Sequence, residues 1–339
     1  MALRFGLVGL GFHGLHAVQS SFDEPTAVGV ELTAVCDVSQ ERLDAVTRPV
    51  EKYLSAEEMI AKAPIDAVYV AVGRDFSYPI VMAALAAGKE VICEKPVANS
   101  VEEARAIADE VKRRNRIFAV NFESRYGTRM TLLKRWVDEG VFGKIEAIQF
   151  DNLWDCHKSF GPSAARRARL LSLSGGLDCG IHELDQARFL LGGNWKKVSA
   201  MGAWFGEPCA PPPHVSLVGM LDNGCMIALN SSLAFTANIE PSVFIDNLYL
   251  AGSEGVAVVK GAFSMGDTVA TLTSRTRCES VTLDPNGHSS DIALLLTEFA
   301  KVVAGGPGTP HRFAEAEDGY QAQLAMELAI RDAQKNRLA

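Results

Sequence analysis

The sequence predicts an α/β protein of two domains: a parallel sheet covered by helices on both faces, then an α+β domain of hairpin-linked strands. Three observations carry this. Up to about residue 120, continuous apolar strand-like runs alternate with helical segments. Beyond about residue 121 the alternation stops, and strand patterns follow one another with tight-turn signals between them. The 339 residues exceed one ordinary core and suit two domains, divided here as 1–121 and 122–339.

Strand-like runs fall at Leu3–Val8, Leu32–Cys36, Ile65–Val72, Glu90–Cys93 and Ile117–Val120, and helical periodicity at Gln40–Val46, Ala56–Ala61, Tyr78–Ala87 and Val101–Arg114. Gly88 suits a helix end, where a left-handed backbone is needed. A helix over Thr128–Glu139 leads to a long strand, Lys144–Trp154, and a further helix covers Leu177–Leu191. From Lys196 to Leu272 the chain is mostly strand. Asp222-Asn223-Gly224 and Gly252-Ser253-Glu254-Gly255 read as hairpin turns. Val215–Leu221 and Cys225–Phe235 are apolar on both faces, one for the domain's helices and the other for a second subunit or the domain's own interior. Ala314–Lys335 closes the chain as a helix.

Hydrophobic residues make up 48% and charged residues 22%, as in globular proteins, and the net charge of -8 speaks against a nucleic-acid partner. No apolar run approaches the ~20 residues of a membrane helix, so neither span nor membrane partner is expected. Met1 to Val8 runs straight into a strand without the parts of a signal peptide. The seven cysteines are odd in number, scattered and without a C-x-x-C. A soluble protein of the reducing cytoplasm is expected.

The first strand ends in Gly9-Leu10-Gly11-Phe12-His13-Gly14, a G-x-G-x-x-G. The first glycine permits a tight turn, the second lets the backbone approach a pyrophosphate, and the third lets helix and strand pack closely. The helix start then offers free N–H groups to the phosphates. A second strand follows and ends in Asp37, which completes a Rossmann fingerprint. A carboxylate there can hold the adenosine ribose and repel a 2′-phosphate, which favours NAD. The plainer role for Asp37 is to cap the next helix. Arg42 nearby leaves NADP open. His13 lines the cofactor, without a catalytic role.

Cys93-Glu94-Lys95-Pro96 ends the fourth strand, where ligands of open α/β sheets bind, so Lys95 is directed at the cofactor cleft rather than left as a solvated surface lysine. Pro96 fixes the turn, and its peptide bond can be cis at modest cost. Further on, Ser174-Gly175-Gly176-Leu177-Asp178-Cys179-Gly180-Ile181-His182 opens a helix with Asp178 and His182 four apart on one face. Histidine can take and return a proton near neutral pH, and a neighbouring carboxylate would orient it. The alternatives are an ordinary surface pair or half of a metal site. No second histidine stands at ligand spacing, so no metal is expected.

These residues together resemble the Gfo/Idh/MocA family: Gly9–Gly14, Ala34-Val35-Cys36-Asp37, the run from Ala86 to Pro96, and Gly175–Asp185. The resemblance spans essentially the whole chain. It implies a catalytic set of Lys95, Asp178 and His182. It also implies a C-terminal domain with a large open, mostly antiparallel sheet used to form a homodimer or homotetramer. Sugars, polyols, inositols and sugar acids are the implied substrates. By that likeness His182 removes the hydroxyl proton while hydride passes to the nicotinamide, Lys95 hydrogen-bonds the reacting oxygen, and Asp178 positions the sugar or His182. Members usually carry a T-P-N-x-x-H-like segment after the third strand. Here Val72-Gly73-Arg74-Asp75-Phe76-Ser77 has glycine for the proline and serine for the histidine, and Arg74 is available to replace lost contacts. The cofactor contacts are therefore assigned to Gly9, Gly11, Phe12, His13, Gly14, Asp37, Val72, Arg74, Glu94 and Lys95.

Candidate substrate contacts are Asn121, Arg125 and Tyr126 from the linking segment, and Trp154, Asp155 and His157 where the long strand ends. Arg166, Arg167 and Arg169 form either an anion site for a sugar acid or phosphorylated sugar, or a solvated basic face. Three functions compete: a sugar or polyol dehydrogenase, a redox-assisted lyase or glycosidase with tightly bound NAD, and a non-enzymatic dinucleotide sensor. Steady-state NADH release separates the first two. Lys95, Asp178 and His182 together speak against the third, because a sensor needs no proton-transfer groups.

Overall fold

The protein is described from a computed structural model, which covers residues 2–155, 171–172, 174–207, 209–235, 244–261, 268–284 and 287–337. Two compact units make up the chain: Met1–Tyr126 with Asn286–Tyr320, and Gly127–Pro285 with Gln321–Ala339. The expected division was a single boundary between residues 121 and 122; the first unit instead takes back a later segment.

The first unit holds a six-stranded parallel sheet of β1 (Leu3–Val8), β2 (Val30–Cys36), β3 (Glu51–Tyr53), β4 (Ala67–Val70), β5 (Glu90–Cys93) and β6 (Phe118–Val120). Its order β3-β2-β1-β4-β5-β6 is that of a doubly wound sheet, with the order reversing next to β1. Every residue of β4 is buried, as expected for a central strand covered on both faces. Helices α2 (Gln40–Asp44), α3 (Ala56–Lys62) and α5 (Val101–Arg114) are each capped by a serine, Ser39, Ser55 and Ser100, whose hydroxyl accepts an amide of the first turn. A short α1 (Gln19–Ser21) continues the widened, π-type turn Gly14–Val18. Helix α4 (Arg74–Ala86) begins earlier than the expected Tyr78 and holds Pro79 inside. A proline usually marks a helix boundary, which is why the sequence placed the start late.

A helix not assigned in the sequence analysis, His288–Gly305, completes this unit's core. Its Ile292, Leu295, Leu296, Phe299 and Val302 pack with Phe5, Leu7 and Leu10, and the Phe299 ring lies 6.0 Å from that of Phe5. Those five helix residues recur at helical spacing on one side, while Ser290, Glu298 and Lys301 lie on the other, so the helix does carry an apolar stripe.

The second unit holds an eight-stranded, mostly antiparallel sheet in the order β14-β13-β12-β11-β7-β10-β9-β8. Its strands are β7 (Ile145–Leu153), β8 (Trp195–Ala203), β9 (His214–Leu221), β10 (Met226–Ser232), β11 (Ile245–Gly252), β12 (Gly255–Gly261), β13 (Thr268–Ser274) and β14 (Cys278–Leu283). Only the β7–β10 pair among the described strands of this sheet is parallel. The β9–β10 turn is the expected one: Gly224 has φ +89°, and the Asn223 amide bonds the Leu191 carbonyl. Helices α6 (Thr128–Asp138) and α7 (Ile181–Leu191) pack on one face. On the other face, register aligns the exposed Met201, Val218, Met220, Met226 and Val256. The large second sheet matches the expected fold class. No described helix is long and apolar enough to cross a membrane.

Candidate active site

In the first unit the glycine turn has the geometry its spacing implies. Gly9 has φ +99°, and a Cβ there would stand 2.5 Å from the Ala71 carbonyl oxygen. A Cβ on Gly14 would stand 2.0 Å from the Gly9 oxygen, so only glycine lets this helix start so close to the strand. A Cβ on Gly11 would meet nothing within 4 Å, which leaves its backbone open to a ligand. The opening turn is π-type, a widening often found at functional sites.

Asp37 is buried and fastened to this turn: its Oδ2 accepts the Leu10 N–H at 2.7 Å and its Oδ1 the Ser39 N–H at 2.9 Å. The helix that follows is capped by Ser39 rather than Asp37. Arg42 reaches the same carboxylate at 3.4 Å from a half-exposed side chain. Three large apolar side chains are exposed beyond the carboxyl ends of the strands: Phe12, Val38 and Phe76, after β1, β2 and β4. Sequence reasoning passed over Val38 and Phe76. Their signal was position alone, one residue past Asp37 and one turn into α4. Val72 lies against Gly9, while Arg74 opens α4, whose Ser77 hydroxyl donates to the Val97 carbonyl at 2.8 Å.

The end of β5 carries a dense network. Glu94 is buried, and its Oε1 accepts from the Asn121 amide at 2.7 Å and the Tyr69 hydroxyl at 3.0 Å, with His13 Nε2 also at 3.0 Å. Burial pushes the Glu94 carboxyl up, but His13, Lys95 and Asn121 outweigh it and hold the group at about 2. Lys95 is partly exposed beside it, and the Lys95–Pro96 bond is cis. Asn121, expected to touch substrate, is fully buried with its Nδ2 committed to Glu94. Arg125 is buried, donating to the Arg312 carbonyl at 3.0 Å and paired with Asp318 at 3.2 Å; the Tyr126 hydroxyl donates to Glu298.

In the second unit a π-type turn, Gly176–Gly180, carries Asp178 and runs into α7, which carries His182; both side chains are partly exposed. Its glycines permit close packing. A Cβ on Gly176 would stand 2.2 Å from Met326 Sδ, and one on Gly180 2.9 Å from the Ser231 side chain on β10. Ser174 takes φ +68° and donates to the Pro212 carbonyl at 2.5 Å. Beneath the turn, Glu183 is buried and accepts from Asn152 Nδ2 at 3.0 Å, while Arg129 pairs with Asp246 at 2.6 Å and reaches Gln186 at 3.2 Å. Burial, helped by the Asp246 charge, pushes Glu183 up to about 7. Trp154 and Asp155 are buried, Trp154 in a cluster with Leu171 and Leu233. His157, Arg166, Arg167 and Arg169 lie outside the described residues. Among the described residues no group of three or more His, Cys, Asp or Glu side chains could hold a metal ion.

Comparison with known proteins adds to this geometry. Residues 3–122 match the family model of an oxidoreductase family with an NAD-binding Rossmann fold, and residues 130–258 match the Gfo/Idh/MocA C-terminal domain. D-Glucoside 3-dehydrogenase of Escherichia coli (strain K12) is 28% identical, over 95% of this chain and 92% of its own. Inositol 2-dehydrogenase/D-chiro-inositol 3-dehydrogenase of Lactiplantibacillus plantarum is 33% identical over 42% of this chain and 41% of its own. Among solved structures, an Agrobacterium radiobacter oxidoreductase in complex with NAD+, L-tartaric acid and magnesium superposes with a TM-score of 0.83 at 19% identity, covering 99% of this chain and 98% of that one. Levoglucosan dehydrogenase with NADH and levoglucosan gives 0.81 at 22% identity, again over 99% and 98%. At such identities these two show the fold.

Proposed function

Since the chain belongs to the Gfo/Idh/MocA oxidoreductase family, with its NAD-binding Rossmann fold, we propose that it is a dehydrogenase of a sugar, polyol, inositol or sugar-acid hydroxyl. The observation that carries the dinucleotide part is the glycine turn, crowded at Gly9 and Gly14 and open at Gly11. A dinucleotide diphosphate fits there because the N–H groups of the helix start meet its charge. Exposed Phe12, Val38 and Phe76 supply apolar surface for its rings, and the remaining lone pairs of Asp37 suit ribose hydroxyls. The relatives' names, D-glucoside 3-dehydrogenase and inositol 2-dehydrogenase, support the substrate class.

Bound NAD supplies the hydride acceptor. His182 accepts the hydroxyl proton and Asp178 positions either it or the sugar. Lys95 hydrogen-bonds the reacting oxygen, and the Glu94 network fixes the turn from which Lys95 projects. Arg74, Val72 and the glycine turn serve the cofactor. The buried, committed side chains of Arg125 and Tyr126 favour a supporting role over substrate contact. The exposed apolar stripe of the second sheet suits a homodimer or homotetramer. The six described cysteines form no disulfide, which suits a cytoplasmic address. A panel of sugars, inositols and sugar acids, assayed with NAD and NADP by the absorbance of reduced nicotinamide, tests the reading. Steady NADH formation with at least one of them supports it, and no turnover across the panel counts against it.

A further inference from the structure

Beyond lining the cofactor, His13 has no role so far, yet the structure ties it to the lysine turn as well. It stands inside the glycine turn, and its Nε2 lies 3.0 Å from Glu94 Oε1 at the lysine turn. About 40% of its side chain stays open, so a ligand can reach it. Charged and titratable groups face it from each element packed around it: Glu94 and Lys95 after β5, Tyr69 from β4, Glu123 just after β6, and His288 at the start of its helix with the two rings 5.2 Å apart. His288 in turn lies 3.5 Å from Glu123. His16 and Phe12 flank His13 on its own helix.

We propose that His13 is a proton-linked positioning residue, whose imidazolium ties the phosphate-binding turn to the Glu94–Lys95 turn and strengthens dinucleotide binding. The proposal rests on the dinucleotide reading above. Two effects act together. An imidazolium adds positive charge to the turn that receives the diphosphate, and a charge-assisted bond to Glu94 holds that turn against the lysine turn. Loss of the proton removes the first effect and weakens the second. Glu94 raises the pKa of His13 most, burial opposes it, Glu123 adds to the rise and Lys95 subtracts from it. The charged form therefore persists above the ordinary histidine range, and binding weakens as pH rises through this elevated value.

The test is isothermal titration of the full chain with NADH, and separately with NAD, from about pH 6 to about pH 9. Wild-type affinity falls about tenfold across this range if binding raises the His13 pKa by about one unit, since that ratio equals the affinity difference between the two forms. His13→Gln keeps a donor to Glu94 but cannot titrate, so its profile is flat. A His13→Gln profile parallel to wild type overturns the proposal, as does a flat wild-type profile. If the variant does not fold, wild-type proton uptake decides: titrations at intervals across the same pH range in two buffers of different ionisation heat show uptake on binding, and zero uptake throughout overturns it. Failure to bind either nucleotide at any pH is a different result, which overturns the dinucleotide reading itself.

Discussion

The Asp37 carboxylate accepts the Leu10 backbone N–H at 2.7 Å. The acid that follows β2 thus holds the glycine turn in shape. Asp37→Ser is expected to weaken NAD binding about tenfold or more, the worth of a hydrogen bond to a charged group. It should also lower the melting temperature of the nucleotide-free protein. Calorimetry with NAD and NADP checks both the loss and the preference: unchanged NAD affinity would remove Asp37 from the site.

Two glycines carry separate packing constraints. At Gly14 an added Cβ meets backbone, the Gly9 oxygen at 2.0 Å, whereas at Gly180 it meets the Ser231 side chain at 2.9 Å. Gly14→Ala is therefore expected to abolish dinucleotide binding, because the turn must open to relieve the clash. Gly180→Ala should destabilise by about 1–3 kcal/mol, the usual cost of overpacking, with NADH binding retained. Denaturant melts and NADH titration of both variants separate these outcomes.

Lys95→Met and His182→Asn should each lower kcat by about 100- to 10,000-fold on the true substrate, the range for a lost proton-transfer group. His182→Asn should leave NADH affinity within a few-fold of wild type. Single-turnover kinetics with prebound nucleotide measure this, and undiminished turnover in either variant removes that residue from the proton chemistry.

Glu183 gives a pH dependence of stability. Burial raises its folded pKa to about 7, above the ordinary carboxylate value of 4.5. The folded state thus holds a proton that the unfolded state releases between these values, and stability falls as pH rises from about 4.5 through about 7. Glu183→Gln keeps an acceptor for Asn152 but carries no charge. It should match wild type near pH 5 and be more stable near pH 8, by about 1–3 kcal/mol. Urea melts at both pH values test this, and equal stability at pH 8 contradicts it.

Much of this was legible because local chemistry spoke for itself. Gly9 and Gly14 announced a turn too tight for any other residue, and the continuous apolar runs of β1, β4 and β5 announced buried parallel strands. The hidden parts depend on partners distant in sequence. The helix His288–Gly305 has an apolar stripe, but nothing local in it says that the stripe returns to the first unit's core. Asn121 was a fair substrate candidate until Glu94 was seen to take its amide. Nor does periodicity show that Glu94, Tyr69 and His13 meet, since β4, β5 and the glycine turn come together only in the sheet. Arg125 and Tyr126 lost their apparent availability in the same way, to Asp318 and Glu298.

The central claim is that a nicotinamide dinucleotide binds against the glycine turn at Gly9–Gly14. Titration calorimetry of the purified chain with NAD and NADH measures it most directly. Saturable one-to-one binding of at least one form is expected, and its loss in Gly14→Ala. Absence of heat and of any competing signal with both forms, in protein that melts cooperatively, would contradict it.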